Sequence, residues 1–326
     1  MSLGVLVEGS VQATAPGFNV QAILPESQVN KDVSYFDLQL EPNQQERLEI
    51  EISNNSDEPV EVKVSANSAT TNMNGVIDYG MSNQPADESL VIPFSDIATV
   101  EESDISLASQ ETKTISILVQ MPDTTFDGIV LGGITVSEKR SDDEQENQVM
   151  NLFSYSLAVV ISQSANELES LVNLKGVQVE QRNRRNVIVA SIQNPIAKIL
   201  NDVSVEAKVY KGNQSDPMYH AARSDMRMAP NSTLDFGIST NDQRLQPGKY
   251  RLVLVVSSEE ESWEFEQEFE ITGETARELN KTAVNLATDN TILYLWIALG
   301  ISLMIIVILI SIKILKKRKI TKKETV

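Results

Sequence analysis

Apolar residues occupy every second position along much of this chain. Leu48, Ile50 and Ile52 alternate with Arg47, Glu49 and Glu51, and after the stretch 53–59 (SNNSDEP) Val60, Val62 and Val64 alternate with Glu61 and Lys63. Period-two spacing is that of a strand with one face on a core and one in water, and the turn-rich stretch between predicts a hairpin. Ile115, Ile117, Val119 and Met121 repeat the pattern before Pro122-Asp123. Val203, Val205, Ala207 and Val209 share a face within 202–212, and KYRLVLVVSS (249–258) follows the turn Gln246-Pro247-Gly248. In the last such stretch Trp263, Phe265, Phe269 and Ile271 fall inward while Glu264, Glu266, Glu268 and Glu270 fall outward, so alternation accounts for the glutamate row as a solvated face.

One segment breaks the alternation. GIVLGGITVSEK (128–139) is apolar on both phases until Ser137, which predicts a strand covered on both faces, or one whose glycines accept close backbone contact. RSDDEQENQ (140–148) has nothing to bury and reads as an exposed loop, and NLFSYSLAVVISQ (151–163) reads as a strand pairing back. Residues 174–179, 186–195 and 202–212 add further strands. Short strands with turn chemistry between them predict an all-β chain of two tandem β-sandwich, immunoglobulin-like domains at 16–163 and 171–272, joined by the linker SANELES (164–170). The order of strands and the Pro-Gly-x-Tyr sequence before a late strand make the second domain similar to bacterial wall and adhesin modules. Residues 273–290 carry no strong periodic stripe and read as a stalk, partly helical at most.

The end of the chain changes the picture. Thr291 to Ile312 contains no formal charge over 22 residues, long enough as a helix to cross a hydrocarbon core of roughly 30 Å. Tyr294 and Trp296 stand near its start. Lys313, Lys316, Lys317, Arg318, Lys319, Lys322 and Lys323 follow it, so the sequence predicts a single-pass membrane protein with the basic tail 313–326 cytoplasmic and the rest outside. An external body implies an export signal. The first fifteen residues have only a short apolar run, yet Ala13-Thr14-Ala15 fits a small-x-small cleavage site, so 1–15 reads as the remnant of a signal peptide. The residues before Thr291 (NLATDN) carry no LPxTG-type sorting motif, so the helix is expected to stay uncleaved.

Charge and chemistry narrow the function. Without the tail's seven basic residues and Glu324, 20 basic residues face 45 acidic ones, a net charge of −25, which argues against nucleic acid as a partner. With no cysteine there are no disulfides, thiolate metal sites or cysteine nucleophile. His220, the one histidine, lies in a polar stretch that reads as loop, and no GxSxG or SxxK motif supplies a nucleophile. No catalytic residue, metal site or cofactor is expected. Asp142, Asp143, Glu144 and Glu146 cluster without the spacing of an EF-hand loop. Abundant carboxylates keep a wall-active glycan hydrolase using paired acids as the alternative. Three polar clusters contain aromatic rings: Tyr35 and Phe36 in 34–37, Asn72 and Asn74 with Tyr79, and Phe94 and Asp96 in 93–97. Amide and carboxylate groups beside a flat ring suit sugar hydroxyls and a stacked sugar face, and the same residues also suit turns and sandwich corners.

The stretches FNVQAILPESQ (18–28), SYFDLQLEPNQQ (34–45), ISNNSDEPVEVKVSANSATTNMNGVIDY (52–79), PFSDI (93–97) and MPDTTFDGIVLGGI (121–134) together resemble the WxL-interacting protein family of Gram-positive bacteria. The resemblance implies a non-enzymatic, membrane-anchored cell-surface scaffold or adhesin. Its first domain would bind peptidoglycan, its second host extracellular components, and secreted WxL-domain proteins would be its partners in the cell wall.

Overall fold

The computed structural model describes residues 17–80, 85–139, 153–284, 286 and 296–308. Eleven strands and a one-turn helix form the first unit: β1 (Phe18–Ile23), β2 (Phe36–Gln39), β3 (Gln45–Asn54), β4 (Val60–Ser68), β5 (Thr70–Thr71), β6 (Ile77–Asp78), α1 (Phe94–Ile97), β7 (Ala98–Val100), β8 (Asp104–Leu107), β9 (Thr112–Gln120), β10 (Ile129–Glu138) and β11 (Ser154–Ser162). They make a sandwich of two sheets, ordered β1-β3-β9-β7 and β2-β11-β10-β4-β8, with β5 and β6 as a separate ribbon. Leu48, Ile50 and Ile52 from one sheet and Val62, Val64, Ile134 and Val136 from the other close a single core. All-β architecture follows from the period-two pattern, as expected.

The predicted hairpin between β3 and β4 does not form. β3 pairs with β1 and β9, whereas β4 pairs with β10 and β8 in the opposite sheet. The connecting turn is organised by Asn54, whose buried amide donates to the carbonyls of Glu58 (2.8 Å), Leu107 (3.3 Å) and Ala108 (2.9 Å). Its Oδ1 accepts from the Ser56 backbone N–H at 2.9 Å. Tied this way, the turn steps across the core, and the apolar faces of the two strands meet instead of lying side by side.

β10 explains its own lack of alternation. Val130, Ile134 and Val136 face the core, and on the same side a Cβ at Gly132 would stand 2.1 Å from ring atoms of the fully buried Phe94. On the other face Leu131 joins Ala69 and Ala229 in a small apolar cluster, and a Cβ at Gly133 would stand 2.6 Å from Tyr79. The strand is covered twice, by its own core and by the ribbon and the second domain.

The second unit comprises β12 (Asn173–Arg182), β13 (Arg185–Asn194), β14 (Leu200–Lys211), β15 (Tyr219–Met228), β16 (Ser232–Ser239), β17 (Gly248–Ser258), β18 (Glu261–Ile271) and the helix α2 (Gly273–Thr282). Its sheets run β12-β13-β16 and β15-β14-β17-β18. The Pro-Gly-x-Tyr sequence has a structural role: Tyr250 is buried and its hydroxyl donates to the Gln246 carbonyl at 2.8 Å, fastening the turn that starts β17. His220 stands on β15, not in a loop. The strand lies at a sheet edge with most of its side chains exposed, so its sequence carries little apolar alternation.

Residues 273–282 are part of this domain and not a free stalk. Thr272 caps α2 by accepting from the Thr275 N–H (3.1 Å), Ala276 is buried, and Asn280 exchanges hydrogen bonds with the Leu245 backbone, 2.9 Å each way. Short polar anchors of this kind leave no hydrophobic stripe to read. Of the expected membrane span 291–312, residues 296–308 are helical with exposed apolar side chains, and the remainder lies outside the described residues. No helix among the described residues is long and apolar enough to cross a membrane. The expected signal remnant 1–15, the acidic loop 140–148 and the basic tail 313–326 also lie outside them.

A polar cleft where the two domains meet

The two sandwiches are joined by more than the linker. The Thr71 hydroxyl lies 2.5 Å from Ser232 Oγ and accepts from the Ala229 N–H at 2.9 Å, while Ser232 donates to the Ala229 carbonyl at 2.8 Å. Ser232 spends its proton on that carbonyl, so Thr71 must be the donor between the two hydroxyls. The β5–β6 turn presses against β15: Arg227 N–H donates to the Gly75 carbonyl (2.8 Å) and Arg223 to the Met73 carbonyl (3.0 Å). Gly75 has φ 71° and packs so closely on Met226 that a Cβ would stand 2.5 Å from it. Only glycine meets both demands.

Beside this seam lies a cleft of about 770 Å³. Asn67 and Ser68 line it from the end of β4, Thr70 from β5, Ser95 and Asp96 from α1, Asp87 and Glu88 from the connecting segment, and Lys175 and Thr233 from the second domain. Asp87 is the hinge of this wall. It accepts from Thr233 Oγ1 (2.6 Å) and Gln193 Nε2 (2.7 Å) across the domain boundary, and from the Ser89 N–H (2.9 Å) and hydroxyl (2.7 Å) within its own turn. Partial burial pushes its carboxyl upward, but the bonds from Thr233, Ser89 and Gln193 outweigh that and hold it below the ordinary 3.8. Lys175 forms an exposed ion pair with Glu88, which raises the lysine.

The residues singled out from sequence divide among four places. Asp96 is exposed in the cleft. Tyr79 is not among the residues that line it: it is half-buried on Gly133, with its carbonyl accepting from Asn67 (2.9 Å) and Thr135 (2.9 Å). Burial raises the Tyr79 hydroxyl against the pull of nearby Arg227, and Tyr35 is close enough to add to the rise. Tyr35 is 36% exposed. Asn72 and Asn74 belong to the β5–β6 turn, where Asn72 Oδ1 accepts from the N–H groups of Asn74 (2.9 Å) and Val76 (3.2 Å) and shapes the turn that meets the second domain. Phe36 and Phe94 are fully buried in the first core and present no ring face to a ligand. Asp87 and Lys175 were not singled out, because nothing local marks them: their significance comes from residues more than eighty positions away.

The cleft is lined by amides, hydroxyls, the carboxylates of Asp87, Glu88 and Asp96, and the Lys175 ammonium. Among the described residues no group of three or more histidine or acidic side chains is placed to hold a metal ion.

Fold and cleft define the class first: a two-domain, all-β protein with a polar cleft where its sandwiches meet. Residues 18–138 match the profile of the WxL Interacting Protein peptidoglycan binding domain, and residues 144–281 match that of the WxL Interacting Protein host binding domain. The chain belongs to the WxL Interacting Protein family, and its role is one of binding at the cell surface. The boundary between the two profiles falls before β11, which the structure places in a sheet of the first sandwich. A comparison with curated proteins finds no match. Among solved structures the chain is similar to the E. coli chaperone DraB (16% identity, 70% of this chain, 90% of that one, TM-score 0.27). It is also similar to the Pseudomonas aeruginosa CupB2 chaperone (13%, 70% and 92%, 0.28) and to PapD-like domain 7 of human CEP192 (11%, 51% and 99%, 0.29). Nothing about function follows from likenesses at this level.

Proposed function

We propose that this protein is a non-enzymatic, membrane-anchored scaffold of a Gram-positive cell surface. It binds peptidoglycan in the cleft between its domains and holds WxL-domain proteins and host extracellular components near the wall. The observation that carries the reading is the cleft itself: Ser68, Ser95, Asn67 and Asp96 offer hydrogen-bonding groups suited to sugar hydroxyls and acetamido groups. Asp96 is the ligand-contacting residue of the cleft in this reading; Tyr79 and Tyr35 would contact only a ligand reaching past its lining, and Asn72 and Asn74 act indirectly by seating the ribbon that forms one wall. The uncharged run 291–312 and its basic flank support anchoring by one helix with the tail inside.

The test is sedimentation of the purified full chain with insoluble peptidoglycan sacculi. Retention with no soluble sugar or peptide released is the expected result. Release of fragments would favour the paired-acid hydrolase, and failure to sediment would remove peptidoglycan as the ligand.

A further inference from the structure

The second domain has a sheet edge that the fold leaves open. β18 pairs with β17 from Ser258↔Glu261 to Gly248↔Ile271 without a register shift, and among the described residues no other strand pairs with it. Its far flank is therefore without a ladder partner along its 11 residues, although β12 of the facing sheet packs near part of it. Exposed edges are ordinarily blunted by shortness, bulges, proline or lysine, because an unblunted edge templates another strand. The other edges of this chain are blunted or flanked. β2 and β8 span 4 residues each, β7 spans 3 and β1 spans 6. β12 has a register shift between Leu174 and Gly176, β15 is interrupted by shifts in its pairing with β14, and β16 is flanked by β5 and β15. β18, with the sequence ESWEFEQEFEI, is long, has no register shift and carries no proline or lysine; its protection is the charge of its glutamates and the nearness of β12 in the facing sheet, which makes no ladder with it.

Its side chains add chemistry to the open backbone. Trp263, Phe265 and Phe269 pack on the core yet stay only partly buried, since an edge strand leaves one flank of each ring uncovered. Glu264, Glu266, Glu268 and Glu270 are exposed on the opposite face. Across the ladder Lys249 and Arg251 stand opposite Glu270 and Glu268, but Glu264 and Glu266 stand opposite Val255 and Val253. Arg251 reaches Glu266 only diagonally, at 3.3 Å. The outer half of the row therefore has cations of this chain on one side at most.

We infer that β18 docks an extended segment of a partner protein as an additional strand, one in which lysine or arginine alternates with apolar residues. Backbone pairing supplies the alignment, the apolar residues cover the free flanks of Trp263, Phe265 and Phe269, and the cations stand beside the glutamate row. A second copy of this chain is the wrong occupant: β18 against β18 with the sandwich faces aligned sets glutamates beside glutamates, and like charges opposite one another are destabilising. The inference is independent of the peptidoglycan reading, which concerns the cleft.

The test uses the full chain and a synthetic peptide of alternating lysine and valine matched to β18 in length. Its controls are a version N-methylated at every second residue and an alternating glutamate–valine version. Binding is followed by fluorescence anisotropy of the labelled peptides. The lysine–valine peptide is expected to bind, and N-methylation and the glutamate version each to abolish binding. The double variant Glu264→Lys with Glu268→Lys, which touches only exposed side chains, is expected to weaken binding roughly tenfold or more. Absence of binding by the lysine–valine peptide, or equal binding of the N-methylated version, would overturn strand addition. Equal binding by the charge-reversed protein would overturn the stated partner chemistry.

Discussion

β10 in the first domain and β18 in the second are strands of similar length whose sequences could hardly differ more. IVLGGITVSE is apolar or small on both phases, whereas ESWEFEQEFEI alternates from Trp263 to Ile271, broken on its inward phase by Gln267. The structure gives each what its pattern asks for. β10 lies between two layers, with Phe94 lodged on Gly132 from the core side and Tyr79 on Gly133 from the other. β18 lies at an edge with one face on the core and the other in water. Loss of alternation marks a strand that the rest of the chain must cover, and strict alternation marks a face kept free for solvent or a partner. The covered strand is where the two domains are joined, and β18 keeps its glutamate face exposed.

Substitutions sharpen this contrast in a graded way. Phe94→Ala empties the space over Gly132 and is expected to cost about 3–5 kcal/mol in urea unfolding. A loss below 1 kcal/mol would mean that Phe94 is no core residue. Gly132→Val drives a branched side chain into the same ring and should cost about 1–3 kcal/mol, with a lowered Tm. Thr71→Val keeps the shape but removes the donor to Ser232 and the acceptor for the Ala229 N–H, so about 1–2 kcal/mol is expected. Protease cleavage in the linker 164–170 should speed up in that variant if the seam holds the domains together.

Asp87→Asn is a smaller change with a distinctive pH signature. The folded carboxyl binds protons less readily than the unfolded one, so its contribution is fully present above 3.8 and is lost as pH falls through its lower folded value. Between neutral pH and about pH 3, wild type should lose more stability than the variant, read from urea midpoints. At the other extreme, Glu268→Gln on the uncovered face should change stability by less than about 0.5 kcal/mol. A larger effect would mean that the glutamate row serves the fold itself.

Much of the fold was legible because period two is a local signal. The alternation of Leu48, Ile50 and Ile52, of Val203 through Val209, and of Trp263 through Ile271 each corresponds to a strand with the expected inward face. Even the anomaly at 128–139 was readable as a doubly covered strand. What alternation does not encode is the partner of each strand. β3 and β4 look like a hairpin until the buried amide of Asn54 is seen to bind carbonyls of residues 107 and 108, over fifty positions away. The candidate site was legible only in part for the same reason. Asp96 and Tyr79 could be picked out as polar or aromatic residues in a turn-rich segment, but the same reasoning picked out Phe36 and Phe94, which the core claims. Asp87 became visible only when Gln193 and Thr233 arrived beside it from the second domain.

The most direct measurement is sacculi retention of the full chain carrying Ser95→Trp, compared with wild type and with the Glu264→Lys, Glu268→Lys variant. Ser95 is an exposed cleft residue, so the indole fills the cleft without entering the core. If peptidoglycan lies in the cleft, Ser95→Trp is lost from the pellet while wild type and the β18 variant are retained. Retention of Ser95→Trp equal to wild type would contradict the placement of the glycan between the two domains.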